Sequence, residues 1–443
     1  MRAFEGDGIV DKYKTRLPLQ GWSVSLELIM RFIHRYQASV FKKEGSAWSF
    51  LFREVSRITV DAFERKAPVV WTTAYVFPME MIWALGLIPV DFEILAGFLS
   101  AAYQTGPMLR ASDRFGLPQD TCTVHRIAVG AALSDQLPRP DLIVTTTHYC
   151  DGKAKTNEIM AQRYGVEYLL VDMPLEDTEE ARAYLKGQLL LVFERLSELA
   201  KIPCREEVLS EAVASFNDMT RCMRRANDLR KSTPCPFLPN NGGFILNFVG
   251  TLLYGSHLAP TLYELLDSQW RKELEERKFP QEKFRILWLM ASPTFQATIF
   301  EWLEDRGARV VMEELSHCYW GEMDPSRPLD SMVDRMFSNT FMGKAERRAR
   351  TAMELAKSYR VDCAIHFGHL PCRQANGALK LLRDALEEEG IKLIQLEGDL
   401  ADPTGWDEVR VRNHLSAHLE MLQGEISGRR AWARGTHRGF ENP

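Results

Sequence analysis

Hydrophobic spacing along the chain alternates between two periods, and the alternation predicts most of its elements. Residues 1–66 read as a helical N-terminal extension: in "SLELIMRFIHRYQASVF" apolar residues recur every three or four positions and so share one helix face. "APVVWTT" then reads as a strand and "IPVDF" as another. Between them "FPMEMIWALGL" reads as a helix opened by Pro78, whose fixed φ suits a first turn. "CTVHRIAVGAAL" predicts a helix starting near Cys122 and "DLIVTTT" a fully buried strand. "AKTNEIMAQRYG" predicts a helix stopped by Gly165, and "VEYLLVDMP" a further strand. Strand, helix and strand joined by short loops predict a first α/β domain over 67–200, a parallel sheet covered by helices.

From 201 to 284 the pattern is mostly helical. It is broken by "STPCPFLPNNGG", where prolines flank Cys235 and an Asn-Asn-Gly-Gly run marks a loop. The charged stretch "SQWRKELEERKFPQEKF" reads as a boundary. Over 285–443 the first rhythm returns: strand "RILWLMAS", helix "FQATIFEWLEDRG", strand "ARVVMEEL", a basic helix "GKAERRARTAMELAKSY", strand "CAIHFG", helix "ALKLLRDALEEEG" and strand "IKLIQLEGD". A last helix, "WDEVRVRNHLSAHLEMLQGEI", closes this second α/β domain ahead of a loose arginine-rich tail. The halves share a layout in which an apolar strand ends at a polar loop holding a cysteine, a helix ends at a glycine, and the next strand ends near Asp172 or Glu397. The expected fold is α/β: two similar Rossmann- or flavodoxin-like parallel-sheet domains, with a helical N-terminal extension and a helical middle segment.

Composition narrows the classes. A chain of 443 residues, 45% hydrophobic and with net charge −5, has material for two or three cores and no basic excess, which argues against nucleic-acid binding. The longest apolar runs, "FPMEMIWALGLIPV" and "GGFILNFVGTLLYG", are shorter than the roughly 20 residues of a membrane span. The opening "MRAFEGDGIVDKYK" lacks the apolar core and cleavage site of a secretory signal. A cytoplasmic protein with no membrane segment is expected. Eight cysteines are too sparse for a disulfide scaffold, and none form a Cys-x-x-Cys pair, so any metal site must be assembled from distant segments.

Two corners are built alike. "VTTTHYCDGKAKTNEIM" and "CAIHFGHLPCRQANGALKLL" each place a cysteine where a strand gives way to a helix, the edge at which open parallel sheets bind ligands. Cys150, Cys372 and also Cys122 are thus expected at helix N-termini, where unpaired N–H groups and the helix dipole favour thiolate, the metal-binding form. Three such thiolates converging between domains would suit an iron–sulfur cluster with one iron left open. The alternative is that each packs as a small buried hydrophobe. Cys204 and Cys222 fall in helical stretches and Cys363 in a strand; Cys235 and Cys318 are the further candidates.

The chain resembles the cluster-bearing subunits of the 2-hydroxyacyl-CoA dehydratase and benzoyl-CoA reductase family from about residue 66 to residue 423. The resemblance is carried, in order, by "FPMEMIWALGLIPV", "CTVHR", "DLIVTTTHYCDG", "FNDMTRCMRRANDLRK", "RILWLMASP" and the run from "HFGHLPCRQANG" to "NHLSAHLEML". It implies that Cys122, Cys150 and Cys372 bind a [4Fe–4S] cluster. "GHLPCRQ" departs from the more usual cysteine followed by aspartate. The resemblance further implies an acyl-CoA substrate, a homologous iron–sulfur sister subunit and a separate ATP-hydrolysing activator. The last fits the absence of any GxxxxGK[ST] run.

The activity so implied is that of the larger catalytic subunit of an ATP-dependent benzoyl-CoA reductase in anaerobic aromatic degradation. Alternatives are a 2-hydroxyacyl-CoA dehydratase component, a double-cubane cluster reductase of small molecules, and a subunit that only relays electrons. Several residues join the candidate site. His148 and His369, beside two of the cysteines, could bond a cluster sulfur or protonate substrate, or be structural. Glu80, in an otherwise apolar helix where a carboxylate is costly unless paired, could line a substrate channel or serve as a structural hydrogen-bonder. Ser292 is a candidate thioester contact or helix cap. Arg221, Arg224, Arg225, Arg230 and Lys231 could meet coenzyme A phosphates or form a solvated helix face.

Overall fold

Eight strands form two separate parallel sheets in the computed structural model, which describes residues 24–236, 242–276, 282–295, 297–318 and 321–436. The first sheet contains β1 (Val69–Thr72), β2 (Ile88–Asp91), β3 (Leu142–Thr146) and β4 (Glu167–Val171), in the order β2-β1-β3-β4. The second contains β5 (Phe284–Leu289), β6 (Ala308–Glu313), β7 (Cys363–His369) and β8 (Lys392–Gly398), in the order β6-β5-β7-β8. The two orders are the same, so the duplicated α/β layout expected from sequence is the observed one. In each sheet the chain starts centrally, moves one strand outward and then returns to the other side. Ligands gather beyond the carboxyl ends of strands at such a reversal. In the first sheet this point lies between β1 and β3, and in the second between β5 and β7.

The central strands β1, β3, β5 and β7 are buried along their whole length, because both faces of each sheet are covered there, whereas the edge strands β4 and β8 are partly exposed. Phe284, Ile286 and Trp288 of β5 enter one core with Ile365 and Phe367 of β7, while Leu287 and Leu289 enter another with Ala364. The sheet's period of two sorts one run into two cores. The first sheet lies in a larger core that also takes in the N-terminal helices Leu26–Glu44 and Ala47–Phe63 and the middle helices Glu207–Leu229 and Leu258–Glu276. Ser25 and Ser46 cap the two N-terminal helices, their hydroxyls accepting from the N–H groups of Leu28 and Ser49.

Several helices lie outside the elements read from sequence. Phe92–Ala101 is apolar nearly all round, so it shows no helical period; it is buried between neighbours. Pro328–Ser338 sits in a stretch that follows β6 but returns to the first core, bringing Leu329, Met332, Met336 and Phe337 with it. The charged stretch after 267 begins as the end of the helix Leu258–Glu276, and the last helix runs on through the arginine-rich segment to Thr436. The extension's residues 1–23, part of the proline loop (237–241) and residues 437–443 lie outside the described residues.

Close packing fixes the helix that follows Cys122. A side chain on Gly130 would begin 1.9 Å from the backbone carbonyl oxygen of Met108, so the helices Thr105–Phe115 and Thr123–Leu133 touch at backbone level. Gly130→Ala is expected to destabilise the fold by about 1–3 kcal/mol through overpacking. A lower urea midpoint checks this; an unchanged midpoint would mean that the helices part at no cost.

Candidate functional site

Cys150 and Cys372 occupy equivalent places, each a few residues past the carboxyl end of the central strand, β3 or β7, on which its chain returns. Each is the N-cap of the helix that follows, Asp151–Tyr164 or Arg373–Gly377. Cys122 caps Thr123–Leu133, the helix that leads into β3. The turn before Cys150 is tight: Tyr149 adopts a left-handed φ of 43°, and the Cys150 N–H donates to the His148 carbonyl at 2.9 Å. A non-glycine residue held there is strained, a condition that clusters at functional sites.

The fold leaves these three sulfurs near enough to act on one another electrostatically. Cys150 and Cys372 both lie close enough to disfavour a negative charge on Cys122, and Cys372 does the same to Cys150. Two of the thiols are held by named donors. The Ala375 N–H donates to Cys372 Sγ at 3.3 Å. His369, from the second half, reaches Cys122 in the first, with Nε2 3.4 Å from Sγ. The Leu400 N–H donates to His369 Nδ1 at 3.0 Å, so that nitrogen is the acceptor and Nε2 carries the proton toward sulfur. Burial keeps His369 below its ordinary pKa, which favours this neutral tautomer.

Burial overrides the helix ends at the thiols. Where the sequence led us to expect depressed thiol pKa values, desolvation raises all three: Cys122 well above normal, Cys150 to about 11, and Cys372 upward despite its backbone donors. Withdrawing a thiolate from water costs more than the helix N-terminus returns. A metal would have to displace the protons.

A second set of buried charges surrounds the thiols. Glu93, at the start of the helix that Asp91 caps, lies 3.3 Å from His125 Nε2 and 3.6 Å from Lys153 Nζ. Burial alone would raise the pKa of Glu93, but Lys153 and His125 outweigh it and hold the carboxyl near 2. Asp91 moves the other way, to about 7, through burial and the charge of Glu93. Lys153 also lies over the Tyr149 ring, 5.0 Å from its centroid. Sequence pattern did not single these residues out. One signal was there: His125 and Lys153 sit three positions after Cys122 and Cys150, the spacing that stacks side chains on one helix face.

A cavity of about 300 Å³ is lined by residues of both halves, among them Tyr149 and Arg373, the chain neighbours of Cys150 and Cys372, with His148, Phe341, Met342 and Lys344. His148 is fully buried in its wall. Burial drives its pKa to about 3, so the ring is neutral; Asn339 lies beside it, but neither ring nitrogen makes a well-formed hydrogen bond. Arg348, also in the wall, is committed to Glu314 at 2.6 and 2.9 Å. Lys344 and Arg373 are exposed at the rim.

Other expected residues fall elsewhere. Both Glu80 oxygens are held by Arg335, at 2.5 and 2.9 Å, which is the structural use of that carboxylate. Ser292 is buried beyond β5 with its hydroxyl unbonded; Thr298 holds the N-cap position of the next helix, with its hydroxyl on Glu408. Of the arginine run, Arg230 is buried against Glu313 at 2.7 Å, whereas Arg221, Arg224 and Arg225 lie on the exposed helix face; Arg221 pairs with Glu322 and Asp218, Arg225 contacts Cys222, and Lys231 pairs with Asp228. Cys235 and Cys318 are buried; the Cys235 thiol faces the Pro236 carbonyl, and Cys318 packs in the first core. Among the described residues no three His, Cys, Asp or Glu side chains are close enough to share a single metal ion. Cys122, Cys150 and Cys372 are the residues that could hold a larger metal group, in which each thiolate has its own metal atom.

Two like-ordered parallel sheets, with thiols and a cavity at their carboxyl edges, define a duplicated α/β protein. Sequence comparison makes the assignment more particular. The model of the family described as 2-hydroxyglutaryl-CoA dehydratase, D-component, matches residues 74–422, and the chain belongs to that family. The (R)-phenyllactyl-CoA dehydratase alpha subunit of Clostridium sporogenes is 22% identical over 404 residues, covering 86% of this chain and 96% of that protein. A benzoyl-CoA reductase subunit of Thauera aromatica is 22% identical over 360 residues, 73% of this chain and 82% of that protein. The beta subunit of the Clostridium sporogenes dehydratase is 20% identical over 335 residues, 73% of this chain and 84% of that protein.

Proposed function

We propose that this chain is an iron–sulfur subunit of a low-potential acyl-CoA enzyme, with Cys122, Cys150 and Cys372 as ligands of a [4Fe–4S] cluster and the adjoining cavity as the acyl site. The observation that carries the proposal is that three half-buried thiols from both halves of the chain lie near enough to act on one another, next in the chain to residues that line a cavity. The donor set suits such a cluster, and the buried, unbonded atoms Lys153 Nζ and His125 Nδ1 supply polar groups for its surroundings. When bound, the cluster supplies electrons at low potential.

The chain's own residues do the remaining work. His369 directs an N–H at the Cys122 sulfur and so ties the two halves across the site. Tyr149 and Phe341, whose ring centroids are 5.3 Å apart, present aromatic surface in the cavity wall, which favours an aromatic acyl group. The ring nitrogens of His148 are available to orient the thioester carbonyl, and Lys344 and Arg373 at the rim to meet coenzyme A phosphates. Dearomatising reduction of benzoyl-CoA is the first reading. Dehydration of a 2-hydroxyacyl-CoA is the second, favoured by the family model and by the near-complete coverage of the phenyllactyl-CoA dehydratase alpha subunit. This chain is similar to both the alpha and the beta subunit of that dehydratase, which supports a homologous sister subunit. The electron donor is a separate ATP-hydrolysing activator, and the site of action is the cytoplasm. Among the described residues no helix is long and apolar enough to cross a membrane.

The test is anaerobic purification followed by assay of the complex reconstituted with sister subunit and activator. We expect iron and sulfide near four per chain and ATP-dependent turnover of benzoyl-CoA. Turnover of (R)-2-hydroxyacyl-CoA alone would select the dehydratase reading. A colourless chain without iron would refute both.

A further inference from the structure

Lys153 and Glu93 are buried charges that neither acyl binding nor thiol ligation uses. We propose that they are positioning residues that set the reduction potential of the group held by Cys122, Cys150 and Cys372, the cation raising it and the anion lowering it, with His125 fixing the carboxylate between them. This rests on the reading that the three thiols hold a cluster.

The geometry is that of charges placed for a purpose other than packing. The Lys153 side chain is 1% exposed, yet its ammonium makes no hydrogen bond; its ion-pair partner Glu93 stands 3.6 Å away. An ammonium has three donors, and leaving them unmade in a dry site is costly, so a site that keeps this arrangement suits acceptor atoms lying between the thiols. A lysine at this position is also unusual for a helix start, where the dipole favours anions. Its neighbours explain the placement: Lys153 acts on Cys150 and favours negative charge there, whereas Glu93 acts on all three cysteines and opposes it. His125 is likewise buried, with Nε2 on Glu93 and Nδ1 unbonded, and both its ring and Cys150 Sγ come within 4.0 Å of where a side chain on Gly152 would begin. The two charges come from different elements, Glu93 from the helix after β2 and Lys153 from the helix after β3, so the fold rather than local sequence pairs them.

The sign of each effect follows from charge balance. One-electron reduction adds one negative charge to the bound group and moves no atoms; the electron comes from an external reductant, titanium(III) citrate in the test. A fixed cation stabilises the reduced state and a fixed anion destabilises it, and burial limits screening by solvent and salt. Charge and hydrogen bonding near the sulfurs are recognised controls of such potentials.

The experiment is an anaerobic redox titration of the full-length chain followed by low-temperature EPR, with iron counted in every sample. Lys153→Met is expected to move the midpoint to more negative potential, Glu93→Gln to more positive potential, and Lys153→Arg to leave it near wild type with an unchanged EPR signal. Opposite shifts cannot come from a general loosening of the site, which would move both variants alike. Midpoints that stay together, or shift in the same direction, with iron content intact would overturn the proposal. Should Lys153→Met fail to fold, Glu93→Gln decides, and a midpoint at or below wild type is the overturning result. Absence of iron from the wild-type chain would instead bring down the cluster reading, and this proposal with it.

Discussion

Cys150→Ala is expected to abolish iron binding or leave it well below half, and to cut turnover of the reconstituted complex by about 100-fold or more. Even outer-shell partners of a metal site are worth roughly 10–100-fold, and a direct ligand is worth more. Cys122→Ala and Cys372→Ala should behave the same way, because the three thiols act on one another across the two halves. Cys235→Ala and Cys318→Ala should keep their iron: both sulfurs are buried in packing, Cys235 against the second sheet and Cys318 in the first core. The measurement is iron and sulfide content with the EPR signal, against the secondary structure of each variant by circular dichroism. Three cysteine variants that kept full iron and signal would remove the basis for the proposed function.

Arg335→Met is expected to cost about 3–5 kcal/mol, the usual penalty for leaving a buried charge without its partner. Glu80 is fully buried, Arg335 nearly so, and the two meet in a bidentate pair, with the guanidinium also 4.5 Å from the Phe216 ring centroid. The pair joins the short helix Glu80–Ala84 to the helix Pro328–Ser338, far apart in the chain, and so anchors the segment that returns from the second half into the first core. Gly255 packs against it with φ +83°; a side chain there would begin 2.7 Å from Glu80 Cα. The double variant Glu80→Gln, Arg335→Met should recover much of the loss, since it removes both charges at once. Urea unfolding of the single and double variants checks this. A double variant no more stable than Arg335→Met would place the cost in packing instead of charge.

Much of the site was legible in the amino-acid order. A cysteine after an apolar strand and before a polar helix marks the carboxyl edge of a parallel sheet, and that rule alone placed Cys150 and Cys372 in equivalent positions. His369 was legible only as a neighbour of Cys372; its hydrogen bond goes to Cys122, in the other half. Glu80 stood out as a carboxylate in an apolar helix, but its partner Arg335 lay in a stretch with no assigned element. Periodicity reports one face of one element. It is silent where a helix is apolar all round, as at Phe92–Ala101, and so it hid Glu93.

Residue order alone set the period of each main element, the duplication of the α/β layout and the chain positions of the three thiols, because strand and helix spacing and turn residues act over a few neighbours. Which side chains meet was settled by packing: Cys122 with His369, Glu93 with Lys153, and Glu80 with Arg335. Packing also decided the direction of the thiol pKa shifts, which burial pushes upward against the local pull of the helix ends. Local spacing fixes the direction in which a residue points. Burial and charge pairing depend on whatever the rest of the chain packs against it, and that sum exists only once both halves are folded together.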